Sequence, residues 1–141
     1  MKKSVFCGLL LWLAVVGSSF GQELIAAPEG QLNRNIANLA REARIPLYVV
    51  DTILADVVML QNDYLAKGRI GRWGMTRTLI ETPTRINPND EQASAIRALA
   101  YIGSLYDEHK NWTLVIANYL GVDVQTASAK IELVRILRGD K

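Results

Sequence analysis

Residues 47–60 read LYVVDTILADVVML, and apolar side chains fall on most sides of this segment in any regular secondary structure. A run of this kind predicts a central buried helix or a buried strand; its valines favour the strand and its length favours the helix. Pro46 stands directly before the segment. A proline suits the first turn of a helix, where its missing N–H donor is not needed. We therefore expect a buried helix that begins near Pro46 and forms the centre of the fold.

Helical periodicity continues on both sides of this segment. Before it, residues 29–45 carry apolar residues at helical spacing, namely Leu32, Ile36, Leu39 and Ala43. After it, Asn89 or Asp90 could cap a helix that runs to about Glu108. The apolar residues expected to face inward from that helix are Ile96, Leu99, Ile102 and Leu105.

The C-terminal part of the chain predicts two more helices. Residues 112–120 form a short one, for which Asn111 is a natural N-cap. Gly121 ends this helix, because glycine readily takes the left-handed conformation at a helix C-terminus. Asp123 could cap the last helix, whose inward residues would be Ala127, Ile131, Val134 and Leu137. Residues 62–74 are polar and glycine-bearing, a short turn of helix follows them, and residues 82–89 are typical of a loop. The sequence therefore predicts a single all-α domain.

The first residues are typical of a targeting segment. Lys2 and Lys3 precede the apolar residues 4–16, and small side chains follow within residues 17–21. This is the order found in a cleaved export signal. The apolar run is shorter than the about 20 residues with which a helix spans a bilayer, although an uncleaved anchor remains an alternative.

Cleavage after Gly21, or after Ser18, would release the rest of the chain. We predict a signal peptide over residues 1–21 and a mature domain over residues 22–141. The expected location is the periplasm or the exterior of a bacterial cell, with no membrane span after cleavage.

Charge and cysteine content narrow the possible functions. The sequence has 16 Lys and Arg against 14 Asp and Glu, and two of the lysines lie in the leader, so the mature chain is formally neutral. A neutral chain lacks the charge that drives binding to nucleic-acid phosphates, and no nucleic-acid partner is expected. Cys7 is in the leader, and His109 is the one histidine. A disulfide, a zinc–thiolate site and Ser-His or Cys-His catalysis are therefore disfavoured, and we expect no metal and no cofactor.

Several short motifs occur in the order known from one enzyme family. Residues 44–46 read RIP and open the buried helix, and residues 71–77 read GRWGMTR where that family has Gly-Ala-x-Gly-Leu-Met-Gln. Residues 111–112 read NW, and residues 117–121 read ANYLG against the family's Ala-Ala-Tyr-Asn-Ala-Gly. Over residues 33–121 the chain thus resembles the soluble lytic transglycosylases of the lysozyme-like superfamily, with each motif half matched. The resemblance implies a lysozyme-like (goose-type) helical domain.

The departures from the family fall where it carries out its chemistry. These enzymes use the glutamic acid of a Glu-Ser pair to protonate the glycosidic oxygen, and they close a 1,6-anhydro ring on the sugar. Counted from the Ile-Pro step, the pair falls on Val57 and Val58, which cannot donate a proton. Asp56, one residue earlier and one methylene shorter, is a candidate acid if the helix is over- or under-wound there. Otherwise it is a polar end to the buried helix, or a partner for Arg72 or Arg77.

Other positions that contact sugar in the family are partly kept. Trp73, Met75 and Tyr119 are candidate groove residues, and Arg72 and Arg77 stand among them in sequence. A tryptophan beside glycines suits stacking on a sugar face, or it is a core residue that pins a loop. The resemblance implies a degenerate substrate site at these five residues, with Asp56 as the one catalytic candidate.

Residues 67–85 also carry a run of basic side chains with Glu81 as the one acid: Lys67, Arg69, Arg72, Arg77 and Arg85. Such a run is a patch for an acidic glycan or an acidic protein face, or it is a solvated loop.

Three functions are compatible with these patterns. The first is an exported, non-catalytic relative of the lytic transglycosylases that binds a peptidoglycan glycan strand or an envelope or secretion-machine protein. The second is an active peptidoglycan lytic transglycosylase that uses Asp56 as an atypical acid. The third is a helix-turn-helix DNA-binding protein, because residues 114–131 place Ala117 at a helix crossing, Gly121 at a turn and four polar residues toward a major groove: Gln125, Thr126, Ser128 and Lys130. The export signal and the neutral charge oppose the third function.

Overall fold

Seven helices follow one another in residues 30–139, the part of the chain that the computed structural model describes, with side chains described from Arg34 onward. They are α1 (Gly30–Glu42), α2 (Leu47–Met59), α3 (Gln61–Ala66), α4 (Arg77–Glu81), α5 (Glu91–His109), α6 (Trp112–Leu120) and α7 (Val124–Arg138). No strand occurs in that range, where Ile70 and Met75 form an isolated β-bridge. The all-α prediction is confirmed. The predicted signal peptide, Cys7 and the side chain of Leu32 lie outside the described residues.

The helix ends predicted from the sequence are confirmed at four positions. Asp90, Asn111 and Asp123 each precede a helix and accept a hydrogen bond from the backbone N–H three residues later, at 3.0, 3.0 and 2.7 Å. Gly121 follows α6 with a φ of 76°, the left-handed conformation that glycine adopts without a steric penalty. Since every one of these caps joins near neighbours in the chain, these helix boundaries are determined locally.

α2 is the central helix of the core. Val49, Val50, Ile53 and Leu54 on this helix have no exposed surface. The helix contacts α1, α3, α6 and α7, while α5 packs against α1, α4 and α6. The predicted buried helix is therefore confirmed as α2, whose buried residues lie between Val49 and Val57, whereas residues 58–60 at its end are exposed.

Three expectations about single segments or residues are wrong. Residues 62–66 begin the polar, glycine-bearing stretch 62–74, for which no helix is predicted, and they belong to α3. Ile96 is 52 % exposed and Leu137 is 38 % exposed, although the periodicity predicts that both face inward. On α5 the buried face is centred on Ala95 and Ala98, whose small side chains let neighbouring helices approach closely, and Ile96 points away from that face.

Two buried carboxylates of α2 are paired with cations of α7. Asp51 has no exposed surface and accepts a hydrogen bond from Arg138 Nη1. Asp56 is 8 % exposed, and its Oδ1 lies 2.5 Å from Lys130 Nζ. Asp51 precedes Asp56 on α2, but its partner Arg138 follows Lys130 on α7, so the two helices run antiparallel. A carboxylate buried without a cation is strongly unfavourable, so the packing of α7 against α2 stabilises the burial of both acids.

Replacing Arg138 should therefore destabilise the fold more than replacing an exposed arginine. We expect Arg138→Met to lower the free energy of unfolding by about 3–5 kcal/mol, because the buried Asp51 carboxylate then loses its ion pair with Arg138. The matched control is Arg85→Met, whose exposed ion pair with Glu81 should contribute less than about 1 kcal/mol. Urea denaturation followed by circular dichroism measures both effects. Equal denaturation midpoints for the two variants would contradict the role assigned to Arg138.

Candidate functional site

The C-terminal end of α2 is where the resemblance places the catalytic glutamic acid. Val57 is buried there, and Val58 is 51 % exposed. Neither side chain can carry a proton to a glycosidic oxygen. The neighbouring acid on the helix is Asp56, so its surroundings decide whether a catalytic acid is present.

Both carboxylate oxygens of Asp56 are engaged by donors. Oδ1 lies 2.5 Å from Lys130 Nζ, and Oδ2 accepts a hydrogen bond of 2.5 Å from Tyr64 Oη. The partners of Asp56 are thus on α7 and α3 and are not Arg72 or Arg77, the two arginines considered from the sequence. A carboxyl group whose oxygens both accept hydrogen bonds presents no O–H to a substrate. Asp56 instead joins α2, α3 and α7.

The cleft beside Asp56 is also too small for a sugar. Its volume is about 60 Å³. That is the space of about two water molecules, each of which occupies about 30 Å³ in the liquid. The cleft is lined by Asp56, Leu60, Asp63, Tyr64, Lys67, Leu120, Val122 and Lys130.

The three apolar groove candidates lie inside the protein. Trp73 and Met75 have no exposed surface, and Tyr119 is 2 % exposed. The Tyr119 hydroxyl donates a hydrogen bond of 2.6 Å to the carbonyl oxygen of Trp73. These side chains are core residues that fix the loop over residues 71–77, and they do not line an exposed groove as the resemblance implies. Two roles were considered for Trp73, stacking on a sugar and pinning a loop from the core. In the structure it is a core residue that pins the loop.

Gly74 and Arg69 hold the loop over residues 71–77 against the core. Gly74 has a φ of 55°, and a Cβ at this position would lie 3.0 Å from side-chain atoms of Val57 and Tyr64, so glycine is required. Arg69 donates from Nε to the Gly74 carbonyl at 2.6 Å and from Nη2 to the Tyr119 carbonyl at 2.8 Å. Its guanidinium carbon lies 5.0 and 5.6 Å from the ring centroids of Tyr64 and Tyr119. The sequence does not predict this clamp, because it joins residues 50 positions apart.

Four of the five basic residues of the segment 67–85 are bound to other groups of the protein. Arg72 pairs with Glu91 at 3.6 Å, and its side chain is only 15 % exposed. Arg77 and Arg85 both pair with Glu81, at 3.7 and 3.2 Å. Arg69 donates to the two backbone carbonyls described above. Arg72 and Arg77, the two arginines of the predicted substrate site, therefore pair with different acids.

α6 and α7 form the helical hairpin expected over residues 114–131. Ala117 is buried, and Gly121 is the turn between the two helices. Three of the four polar residues expected to face a major groove are exposed, but Lys130 is held in its ion pair with Asp56. One of the four expected DNA contacts is thus already occupied within the protein.

A larger cavity lies where α1 ends and α5 is followed by α6. Its volume is about 590 Å³, and residues from three separate segments line it: 43–45, 100–107 and 112. No pattern in the sequence predicts this cavity, because no single periodic segment contains the residues that form its wall.

Tyr64 and Tyr119 are the two tyrosines whose rings lie near Arg69. Burial raises the pKa of both above the usual value of 10.0. The pKa of Tyr64 is raised by burial and by the hydrogen bond that its hydroxyl donates to Asp56. The pKa of Tyr119 is raised by complete burial, an effect that the nearby Arg69 guanidinium opposes. Both hydroxyls therefore keep their protons at neutral pH and act as hydrogen-bond donors.

These pKa shifts predict a loss of stability in alkaline solution. In the unfolded chain both tyrosines lose their protons around pH 10, whereas the folded protein keeps them, so raising the pH above that value favours unfolding. Each tyrosine should lower the free energy of unfolding by up to about 1.4 kcal/mol per pH unit above about pH 10. Urea denaturation at several pH values should show a shallower decline for Tyr64→Phe, which lacks one of the two hydroxyls. Identical slopes for the variant and the natural sequence would contradict this assignment.

Comparisons with protein-family models, with curated proteins and with solved structures found no match to this chain. Within residues 30–139, none of the helices combines the length and the apolar character needed to cross a membrane. In the same range, His, Cys, Asp and Glu side chains do not come together in a group of three that could hold a metal ion. The function is therefore inferred from the geometry above and from the sequence resemblance.

Proposed function

We propose that this chain is an exported, non-catalytic relative of the lytic transglycosylases, with a lysozyme-like domain that binds peptidoglycan without cleaving it. The observation that carries the proposal is the end of α2. Val57 and Val58 stand where the family has its acid, and both oxygens of Asp56 are held by Lys130 and Tyr64. A transglycosylase needs a protonated carboxyl group at the glycosidic oxygen. The residues at this position supply none, so binding is the function that the geometry supports.

Two features of the sequence support peptidoglycan as the target. The leader over residues 1–21 would deliver the chain to the cell envelope, where peptidoglycan lies. The order of motifs over residues 33–121 resembles that of enzymes that act on this polymer. Because Trp73, Met75 and Tyr119 are buried, a glycan would bind at another surface of the domain.

An envelope protein is the second candidate target, and a specific observation favours it. Five large apolar side chains between 39 and 58 % exposed lie within residues 58–70: Val58, Met59, Leu60, Leu65 and Ile70. Exposed apolar residues concentrated in one segment are typical of surfaces that bind proteins. The first of them, Val58, is one of the two residues at the position of the family's catalytic Glu-Ser pair. A protein-binding surface would therefore begin where the family has its active site.

The other two functions have less support from the geometry. An active enzyme would require Asp56 to leave two short hydrogen bonds of 2.5 Å each. DNA binding would require Lys130 to leave Asp56, in a chain with no excess of positive charge after the leader.

Incubation with peptidoglycan sacculi tests the proposed function. Protein expressed with its own leader and purified from the envelope fraction should sediment with sacculi and should release no 1,6-anhydro-muropeptides. Sedimentation should be unchanged in Asp56→Asn, provided that the variant keeps its helical circular dichroism. An active lytic transglycosylase, run in parallel, controls for the quality of the sacculi. Anhydro products that disappear in a folded Asp56→Asn variant would overturn the proposal and identify an enzyme with an atypical acid.

The second candidate makes a separate prediction. If an envelope protein binds at residues 58–70, Met59→Asp should abolish that complex in cross-linking experiments on intact cells, because it places a charge in an apolar contact. Met59 is 58 % exposed, so the fold should tolerate the change within about 0.5 kcal/mol. Ile136→Asp, at a position that is 64 % exposed on α7, is the matched control. Equal cross-linking in both variants would rule out this surface.

A further inference from the structure

The cavity between α1, α5 and α6 is separate from the degenerate site at the end of α2. About 590 Å³ of space opens to solvent there, within the range of about 300–1,000 Å³ that small-molecule sites occupy. Ile45, Ala100 and Gly103 provide the apolar part of its wall. Ile45 is buried, so the inner wall of the cavity is part of the protein core.

Two aromatic rings form another part of the wall. Tyr106 and Trp112 are stacked, with ring centroids 4.1 Å apart and planes inclined by 20°, and both side chains are partly exposed. Because the rings already contact each other, a flat aromatic ligand cannot be inserted between them. They can instead support the apolar C–H face of a ligand from one side.

The rim of the cavity offers hydrogen-bonding groups without a net charge. Arg44 and Asp107 line it with opposite charges, and neither has an ion-pair partner among the side chains described from residue 34 to 139. Ser104 also lines the cavity, and its hydroxyl donates to the Tyr101 carbonyl at 2.7 Å, which leaves the hydroxyl oxygen able to accept a hydrogen bond. Donors and acceptors of balanced charge suit a neutral, polar ligand; a phosphate would be repelled by the carboxylate, and an alkyl chain would satisfy neither charge.

The backbone at both edges of the cavity is held in a conformation that most residues avoid. Arg44 and Lys110 have φ values of 62° and 54°, and they are the two non-glycine residues with positive φ in the described part of the chain. Each ends a helix that borders the cavity, and Lys110 donates its N–H to the Tyr106 carbonyl at 2.8 Å. Glycine is the residue usually found at such positions. The Arg44 turn brings the arginine to the rim, and the Lys110 turn connects the two stacked rings.

We propose that this cavity is a saccharide-binding site that takes a short stretch of a neutral glycan, such as one built from N-acetylhexosamines. The pyranose face lies against the Tyr106–Trp112 pair, and hydroxyl or acetamido groups bond to Arg44, Asp107 and Ser104. Saccharides combine an apolar ring face with a polar edge, which is the combination that this wall presents. The site rests on the proposed function for the source of the glycan, the peptidoglycan strand, and its own geometry supports the ligand class.

Gly103 makes the cavity testable without damage to the fold. A Cβ added at this position of α5 would meet no atom within 4 Å, so a larger side chain would project into open space. Glycine is also a poor helix former, so its replacement favours the helix. Gly103→Leu should therefore fill the cavity in a protein at least as stable as the natural one. Ala129→Leu, at an exposed position in the middle of α7, is the matched control.

Arg44→Gly provides a second, independent variant. Glycine adopts positive φ without a steric penalty, so this change should raise the Tm. The same change removes a hydrogen-bond donor from the rim and should weaken saccharide binding. A residue with a purely structural role would not show greater stability together with weaker binding.

The probe is N,N′,N″-triacetylchitotriose, titrated into the full purified chain and followed by NMR chemical shifts of backbone amides. Saturable shifts are expected at residues 43–45 and 100–112, with the affinity lowered at least tenfold in Gly103→Leu and in Arg44→Gly and unchanged in Ala129→Leu. No saturable binding by the natural sequence, or equal binding by Gly103→Leu, would overturn the proposal.

The sacculus assay separates this proposal from the proposed function. If Gly103→Leu no longer binds chitotriose but sediments with sacculi as the natural sequence does, the assignment of the peptidoglycan contact to this cavity is wrong, while peptidoglycan binding itself stands. If chitotriose binds at residues 43–45 and 100–112 but the protein does not sediment with sacculi, the saccharide site stands and the proposed function fails.

Discussion

The structure depends on the neutralisation of two carboxylates inside it. α2 is apolar enough to lie at the centre of the core, yet it carries Asp51 and Asp56 into that core. A helix with two unpaired buried acids would be too unfavourable to place there. α7 resolves the conflict with Arg138 and Lys130, and Tyr64 on α3 contributes a hydroxyl. α3 and α7 therefore pack against α2, because these two helices carry the partners of its acids.

The same requirement closes the site that the sequence resemblance points to. Once Asp56 is held by α7 and α3, the loop over residues 71–77 packs on the end of α2, with Gly74 in contact with Val57 and Tyr64. Arg69 then fastens the loop to the end of α6 through backbone carbonyls. A catalytic groove needs an exposed acid and exposed aromatic residues. This chain uses those positions to build its core: Trp73 has no exposed surface, and Asp56 is only 8 % exposed.

Features determined by near neighbours were predictable from the sequence, and features determined by distant contacts were not. Asp90, Asn111, Asp123 and Gly121 cap or end helices through hydrogen bonds that span a few residues, and all four were predicted. The apolar composition of the segment 47–60 predicts a buried helix, and residues 49–57 contain its buried side chains, but composition does not show that residues 58–60 are exposed. The partner of Asp56 lies 74 residues away, which no periodicity can reveal, and the large cavity is assembled from three segments. A tryptophan next to glycines has the same sequence context in a groove and in a core, so its burial became evident only from the packing.

The distance along the chain between the acids of α2 and their cations has a consequence for when the protein can fold. The pairs span 74 and 87 residues, and the second of them uses Arg138, close to the C-terminal end of the chain. During synthesis the central helix therefore lacks its counter-charges until almost the whole polypeptide has left the ribosome. A chain that ends before α7 can pair neither acid with these cations, so the packing of α2 is completed only after α7 has been synthesised.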